Sequence, residues 1–240
     1  MAEREKTLIR SPELDSLPGV RHLFVGRAFD GPPDGTAWRE AVLEEARRIG
    51  GARDTVLLRQ VHGNRVVFHP AGGAADLREI EADGAATDRP GLVLAIRVAD
   101  CLPVYLADRG GRAAALLHAG WRGLAAGILE EGVRSLAGRG VSPDRLVAWI
   151  GPSVGPCCYE VGEEVAAAFG ADARTRPGGR GRPHLDLYAV ARIRLRRAGF
   201  GPARIGPRPP CTACDPSRFA SHRAEPEHRR RNLALLFLEP

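Results

Sequence analysis

Three short segments carry side chains able to do chemistry: Gln60-Val61-His62-Gly63, Ala99-Asp100-Cys101-Leu102-Pro103 and His118-Ala119-Gly120-Trp121-Arg122-Gly123. Each sets a metal-capable or nucleophilic side chain at the end of an apolar run, beside residues that break regular structure. Two imidazoles and one thiolate make a three-ligand set. That set leaves the fourth corner of a tetrahedral ion open to water or substrate, as in catalytic rather than structural zinc sites. Singly, each residue reads as a strand-capping His or a buried Cys. A hairpin couples two of them. If the runs flanking Asp108-Arg109-Gly110-Gly111 pair, partner positions sum to about 220 and Cys101 faces residues 118–120, where opposed Cβ atoms lie about 4.5–5.5 Å apart. His62 completes the set from another strand end.

Gly120-Trp121-Arg122-Gly123 opens a predicted helix, whose free N–H groups and macrodipole, with the fork of Arg122, suit an anion such as phosphate. Asp100 has two open roles, general acid or base, or a group orienting a ligand. Cys211 and Cys214 form a CxxC, and Cys157 and Cys158 are adjacent. Neighbouring cysteines are poorly placed to share one tetrahedral ion, so the CxxC is expected as two small buried or half-buried side chains.

The elements that must position these residues follow from periodicity. Apolar residues at 38, 42, 43, 46 and 49 predict an amphipathic helix, with Thr36 as its N-cap. Strands are predicted over 55–61 (continuing through Val66-Val67-Phe68 after a turn), 92–98, 103–107, 113–117, 146–150 and 232–238. Helices are predicted over 122–136, 163–169 and 185–197. Residues 174–183 lack any apolar side chain and read as a mobile loop, and residues 1–19 as a partly flexible lead-in to one catalytic domain over 20–240. Strands and helices mix without a steady βαβ rhythm, which favours α+β with mixed β-sheets over a doubly wound fold.

The chain has 240 residues, 35 basic against 29 acidic, with 44% hydrophobic and 27% charged, a globular composition long enough to bury a core. No apolar run approaches the ~20 residues that span a bilayer, so no membrane role is expected. The charged start lacks a secretion signal, and a cytoplasmic location is expected. Five cysteines in that setting read as reduced thiols. Lys6 is the sole lysine, and the arginines are spread along the chain among acids, with aromatics at 5%. A nucleic-acid binder concentrates its positive charge on one face, so none is expected as partner; a basic surface still serves small anionic substrates.

Further motifs join these three in order: EAD at 81–83, IGPSVGPCCYEVG at 150–162, LDL at 185–187, CT at 211–212 and SHR at 221–223. Together with QVHG, ADCLPV and HAGWRG, the chain resembles the YfiH family, also called the laccase-domain, multicopper polyphenol oxidase or peptidoglycan editing factor family, from about residue 20 onward. The resemblance implies an α/β/β/α layered fold and a zinc ion held by His62, Cys101 and His118. It further implies phosphorolysis of adenosine, inosine, guanosine or methylthioadenosine, with adenosine deamination at the same centre. Phosphate is then expected near Arg122, helped by Arg223, with Asp100 moving a proton. One departure lies after Arg223, where the family's Thr-Gly pair is missing from residues 224–231.

Two rival chemistries use the same residues. Copper suits these ligands too, but a laccase's copper set needs more imidazoles than the chain's seven His offer, and His22, His69, His184, His222 and His228 are expected on the surface. Alternatively, Cys101 is a nucleophile and His118 its base in hydrolysis of a peptidoglycan precursor. The chain is expected as a monomer or homodimer.

Overall fold

Strands covered on both faces read as unbroken apolar runs, and the computed structural model, which describes residues 7–27, 29, 35–69 and 80–240, shows why this chain has several. One five-stranded sheet has the order β1 (Leu8–Ile9), β2 (Val20–Val25), β12 (Asn232–Leu238), β6 (Leu92–Val98), β3 (Asp54–Leu57). The other has the order β4 (Val66–His69), β5 (Gly84–Thr87), β8 (Ala114–Ala119), β7 (Leu102–Asp108), β9 (Leu146–Ile150). The helices are α1 (Pro12–Asp15), α2 (Gly35–Ile49), α3 (Trp121–Ala125), α4 (Ile128–Ala137), α5 (Glu163–Ala167) and α6 (Leu187–Arg197).

Alternation along each strand divides the layers. In β12, Leu233, Leu235 and Phe237 pack with Trp38, Val42 and Ala46 of α2, while Ala234, Leu236 and Leu238 face the second sheet. In β7, Tyr105 and Ala107 face the first sheet, while Leu102, Val104 and Leu106 pack beneath α3, α4 and α6. Helix, sheet, sheet and helices therefore stack in the expected α/β/β/α order. Tyr105 is buried between the sheets, and its hydroxyl donates to the Leu23 carbonyl at 3.1 Å, which satisfies the one polar atom this packing encloses on that ring.

Two connections cross from one sheet to the other at the same end. β3 and β6 are parallel neighbours, so both chains leave the first sheet in the same direction. Residues 58–65 then lead into β4 and residues 99–101 into β7. β8 runs antiparallel to β7, with Leu102 opposite Ala119 and Pro103 opposite His118, so its far end arrives there too. The hairpin sum is 102 + 119 = 221, one more than the round figure expected from the turn.

Several local expectations change. Val66–Phe68 does not continue β3; it belongs to β4 of the other sheet, paired parallel with β5. The single helix over 122–136 is two, because Gly127 turns left-handed (φ 92°) between α3 and α4. The loop at 174–183 is a ribbon of β10 (Thr175–Pro177) against β11 (Pro183–Leu185), which also takes Leu185 from the start of α6. α2 begins at Gly35, placing Thr36 inside it rather than at its cap. Residues 1–6 of the expected flexible lead-in lie outside the described residues; beyond them β1 pairs with β2, and α1 is capped by Ser11 and buries Leu14. His22 and His69 are buried rather than superficial, His184 is half-buried, and His222 and His228 are exposed. Among the described residues, no helix is long and apolar enough to cross a membrane.

Candidate metal centre

The two crossings and the end of β8 bring His62, Cys101 and His118 together, their ligand atoms all within 4.8 Å of one another. The two imidazoles meet edge to face with ring centroids 4.8 Å apart. His62 is exposed, Cys101 half-buried and His118 buried, so the cluster opens to solvent on the His62 side.

Each ligand is held by local backbone geometry. His62 takes a left-handed conformation (φ 62°), rare for a residue with a side chain, and so does Asp100 (φ 84°), next to Cys101. Conformations of this kind cost about 1–3 kcal/mol each and persist where surrounding contacts enforce them. The turn at His62 aims three successive N–H groups at one buried carboxylate. Val61 and Gly63 donate to Asp83 Oδ2 at 3.1 and 2.7 Å, and His62 to Oδ1 at 2.8 Å. The Gln60 amide extends the sheet, accepting from the Arg97 N–H at 2.8 Å and donating to the Arg97 carbonyl at 2.9 Å, which fixes the crossing onto β6.

Asp83 also reaches the second imidazole. Its Oδ1 lies 2.8 Å from His118 Nδ1, which leaves Nε2 as the nitrogen for a metal or for Cys101; a carboxylate on the far nitrogen fixes both ring orientation and tautomer. Burial would raise the Asp83 carboxyl, but the bonds from His118 and the Gly63 and Val61 N–H groups hold it below the usual range. Burial would likewise raise the Cys101 thiol, yet His118 and His62 bring it down to about 6. Burial would lower His118, yet Asp83 and Cys101 lift it to about 9. Near neutral pH the pair is thus thiolate and imidazolium, and a cation would take the place of the shared proton.

The space for such an ion is kept by a glycine. A Cβ at Gly120 would stand 3.0 Å from His62 Cδ2 and 3.1 Å from Cys101 Sγ, inside the cluster. A Cβ at Gly123 would meet the Gly63 carbonyl at 2.4 Å, so the His62 turn seats directly on α3. Two imidazoles, one thiolate and a cradle that a methyl group would fill form a fitting metal site.

Asp100, Arg122 and Arg223 are placed around this cluster. The Asp100 carboxylate is committed on both oxygens: Oδ1 accepts from the Thr212 hydroxyl and Oδ2 from the Arg223 N–H, each at 2.6 Å. Of its two open roles, this geometry favours orientation. Arg122 is exposed and stacks on Trp121 at 4.5 Å, while Arg223 lies over Tyr159 at 5.3 Å and donates to the Glu160 carbonyl at 2.9 Å. Tyr159 is pushed up to about 12, by burial first and then by the Cys101 charge, with Arg223, Asp100 and Arg122 also acting on it. One ring therefore senses Cys101, Asp100 and both arginines together. The helix behind Arg122 has five residues instead of fifteen, so the case for an anion there rests on the two arginines rather than on a long macrodipole.

Asp83, Thr212 and Tyr159 were not singled out from the sequence as site residues. Each stood in a quoted motif (EAD, CT and CCYEVG), but nothing in a run of letters shows a carboxylate capping a turn twenty residues earlier.

Comparisons with known proteins show what the chain is similar to. Residues 31–239 match the family described as multi-copper polyphenol oxidoreductase laccase. A purine nucleoside phosphorylase of Xylella fastidiosa is 46% identical over 178 residues, 70% of this chain and 66% of that protein. The purine nucleoside phosphorylase YfiH of Escherichia coli is 41% identical over 218 residues, 88% of this chain and 84% of that one. Adenosine deaminase RL5, from an unknown prokaryotic organism, is 36% identical over 197 residues, 77% and 75% of the two chains. Among solved structures, YlmD from Geobacillus stearothermophilus superposes with a TM-score of 0.80 at 26% identity, covering 96% of this chain and 94% of that one. With a family match over nearly its whole length and relatives of this similarity, the chain belongs to the laccase-like YfiH family.

Proposed function

We propose that this chain is a zinc-dependent purine nucleoside phosphorylase, acting on adenosine, inosine, guanosine or methylthioadenosine, and able to deaminate adenosine at the same centre. The observation that carries the reading is the three-ligand cluster kept open by Gly120. The names of the relatives supply the substrate class. His62, Cys101 and His118 would hold the ion, which when bound supplies Lewis-acid polarisation at the open corner.

The remaining residues bind and orient. Arg122 and Arg223 flank the cluster with forks suited to phosphate. A phosphate oxygen attacks the anomeric carbon of the ribose, the bond to the purine nitrogen breaks, and its electron pair leaves with the base, which takes up the proton that hydrogen phosphate gives up on becoming an ester. The products are free base and sugar 1-phosphate. Asp100, anchored by Thr212, fixes the backbone from which Arg223 extends. Asp83 holds His118 and the His62 turn in register.

Incubation with adenosine should release adenine only when phosphate is added, and inosine without it if deamination shares the centre. Cys101→Ala should lose both. Base release that ignores phosphate, or activity retained in Cys101→Ala, overturns the reading. Elemental analysis of protein grown without supplementation distinguishes zinc from copper; among the described residues, only two of the imidazoles join the cluster, fewer than a laccase copper set requires.

One observation favours a second reading. Cys101, His118 and Asp83 stand in the order of nucleophile, base and orienting carboxylate. That chemistry leaves a covalent adduct with an electrophilic acyl probe in metal-loaded protein, whereas a coordinated thiolate reacts only after chelation.

A further inference from the structure

A second group of thiols lies beside the metal centre, contrary to the expectation that the CxxC is two small packing residues and that adjacent cysteines are poorly placed to share an ion. The sulfur atoms of Cys157, Cys158, Cys211 and Cys214 all lie within 4.8 Å of one another. Cys214 Sγ is 3.3 Å from that of Cys157 and 3.4 Å from that of Cys158. Four thiolates around zinc, with Zn–S about 2.3 Å, sit about 3.8 Å apart, and the cluster spans that value. All four are free thiols.

Two turns make this possible. Residues 212–214 form a 3₁₀ turn begun by Cys211, and in a 3₁₀ turn side chains three apart eclipse, so Cys211 and Cys214 share one side. On the other loop the Cys158 and Tyr159 N–H groups both bond to the Gly155 carbonyl, at 3.0 and 3.1 Å, winding the chain tightly enough for adjacent cysteines to face the same point. The Gly155 N–H donates to Cys211 Sγ at 3.1 Å, a bond that favours thiolate. A Cβ on Gly155 would lie 3.2 Å from both Cys157 Sγ and Cys211 Cβ, so this glycine keeps the turns together. Four sulfurs crowded around one point, with the Gly155 N–H directed at one of them, form a donor set that a cation completes.

We propose that Cys157, Cys158, Cys211 and Cys214 form a second metal site, a closed tetrahedral thiolate site for zinc, clasping the 151–162 loop to the 206–223 loop. Four protein ligands leave no open corner, so its role is structural. The clasp bears on the first centre through short links. Thr212, next to Cys211, donates its N–H to the Ser153 carbonyl at 3.0 Å and its hydroxyl to Asp100. The same loop runs on to Arg223. The inference does not depend on the phosphorylase reading.

Zinc content decides it. Cys101→Ala, which removes the thiolate of the first centre, should retain a full equivalent of zinc, and Cys211→Ser/Cys214→Ser should lose that equivalent. Cobalt loaded into Cys101→Ala should give the intense absorption of tetrahedral thiolate ligation, a signal independent of activity. Alkylation after denaturation without reductant should modify all five cysteines of the wild type. Chelation of Cys101→Ala should speed amide exchange over residues 155–162 and 211–223. Folded Cys101→Ala that binds no zinc or cobalt, or a disulfide within the four, overturns the proposal. If the double serine variant does not fold, the cobalt spectrum of Cys101→Ala is decisive alone.

Discussion

The two sulfur-bearing clusters lie close together but are built by different means. His62, Cys101 and His118 project from the ends of paired strands, and a buried carboxylate with four partners holds two of the three before any ion arrives. Cys157, Cys158, Cys211 and Cys214 sit on two turns, with the backbone N–H groups of Gly155 and Cys214 directed at the Cys211 sulfur and two of the thiols exposed. The first is preorganised by the fold; the second orders its loops only as far as its ligand allows. A site that must keep a vacant corner needs its geometry enforced from outside, whereas a site filled by four protein ligands can let the ion enforce it.

The contrast is most exposed at Asp83. Asp83→Ala strands the N–H groups of Val61, His62 and Gly63 beside an unpartnered His118, and should cost about 3–5 kcal/mol in urea denaturation of metal-free protein. A loss below about 1 kcal/mol, the typical effect of a point change, would mean the strand-end centre is no more preorganised than the thiol turns. Acid is the next lever, because it competes with a metal for the sulfur ligands of both clusters and must be separated from the fold's own response. His22, buried between Trp149 and Tyr105, is brought down to about 4, by burial above all. Its folded value lies below the ordinary 6.5, so the unfolded chain takes the proton first. This part of the stability is whole above pH 6.5, falls as pH drops toward 4 and is level below that, a change of roughly 3 kcal/mol. Metal-free protein should show that slope, and His22→Gln should flatten it.

Smaller effects sharpen the difference. Asp83→Asn keeps the shape of the cap but weakens its charge, and should reduce metal affinity at the first centre by about 10–100-fold in competition with a chelator, while leaving the thiol cluster's affinity unchanged. Cys157→Ser is the mildest. In metal-free protein this exposed thiol should shift stability by less than about 0.5 kcal/mol, with a larger shift only when zinc is present. Equal shifts in both states would remove the distinction between the clusters.

What could be read in the letters follows the same division. Register placed Cys101 against residues 118–120 because β7 and β8 are joined by a short turn and period-two alternation leaves little freedom. The strands at 92–98 and 232–238 matched their runs because both faces are covered and all but one residue of each, Arg97 and Asn232, is apolar. The thiol cluster escaped because linear adjacency argues against two ligands on one ion, and only a tight turn at Gly155 reverses that. The break at Gly127 escaped because the apolar stripe of α4 continues in phase with α3. Asp83 escaped because its role lies in backbone amides far along the chain.

The strand at 232–238 sits in the middle of its sheet, hydrogen-bonded on one side to β2 and on the other to β6. While a ribosome is still making the preceding residues, β2 and β6 have no common neighbour, and the layer that carries both crossings stays split. The metal centre should therefore assemble only once β12 has paired with both neighbours, and a chain cut before Asn232 should present open strand edges to chaperones and other chains rather than a formed site.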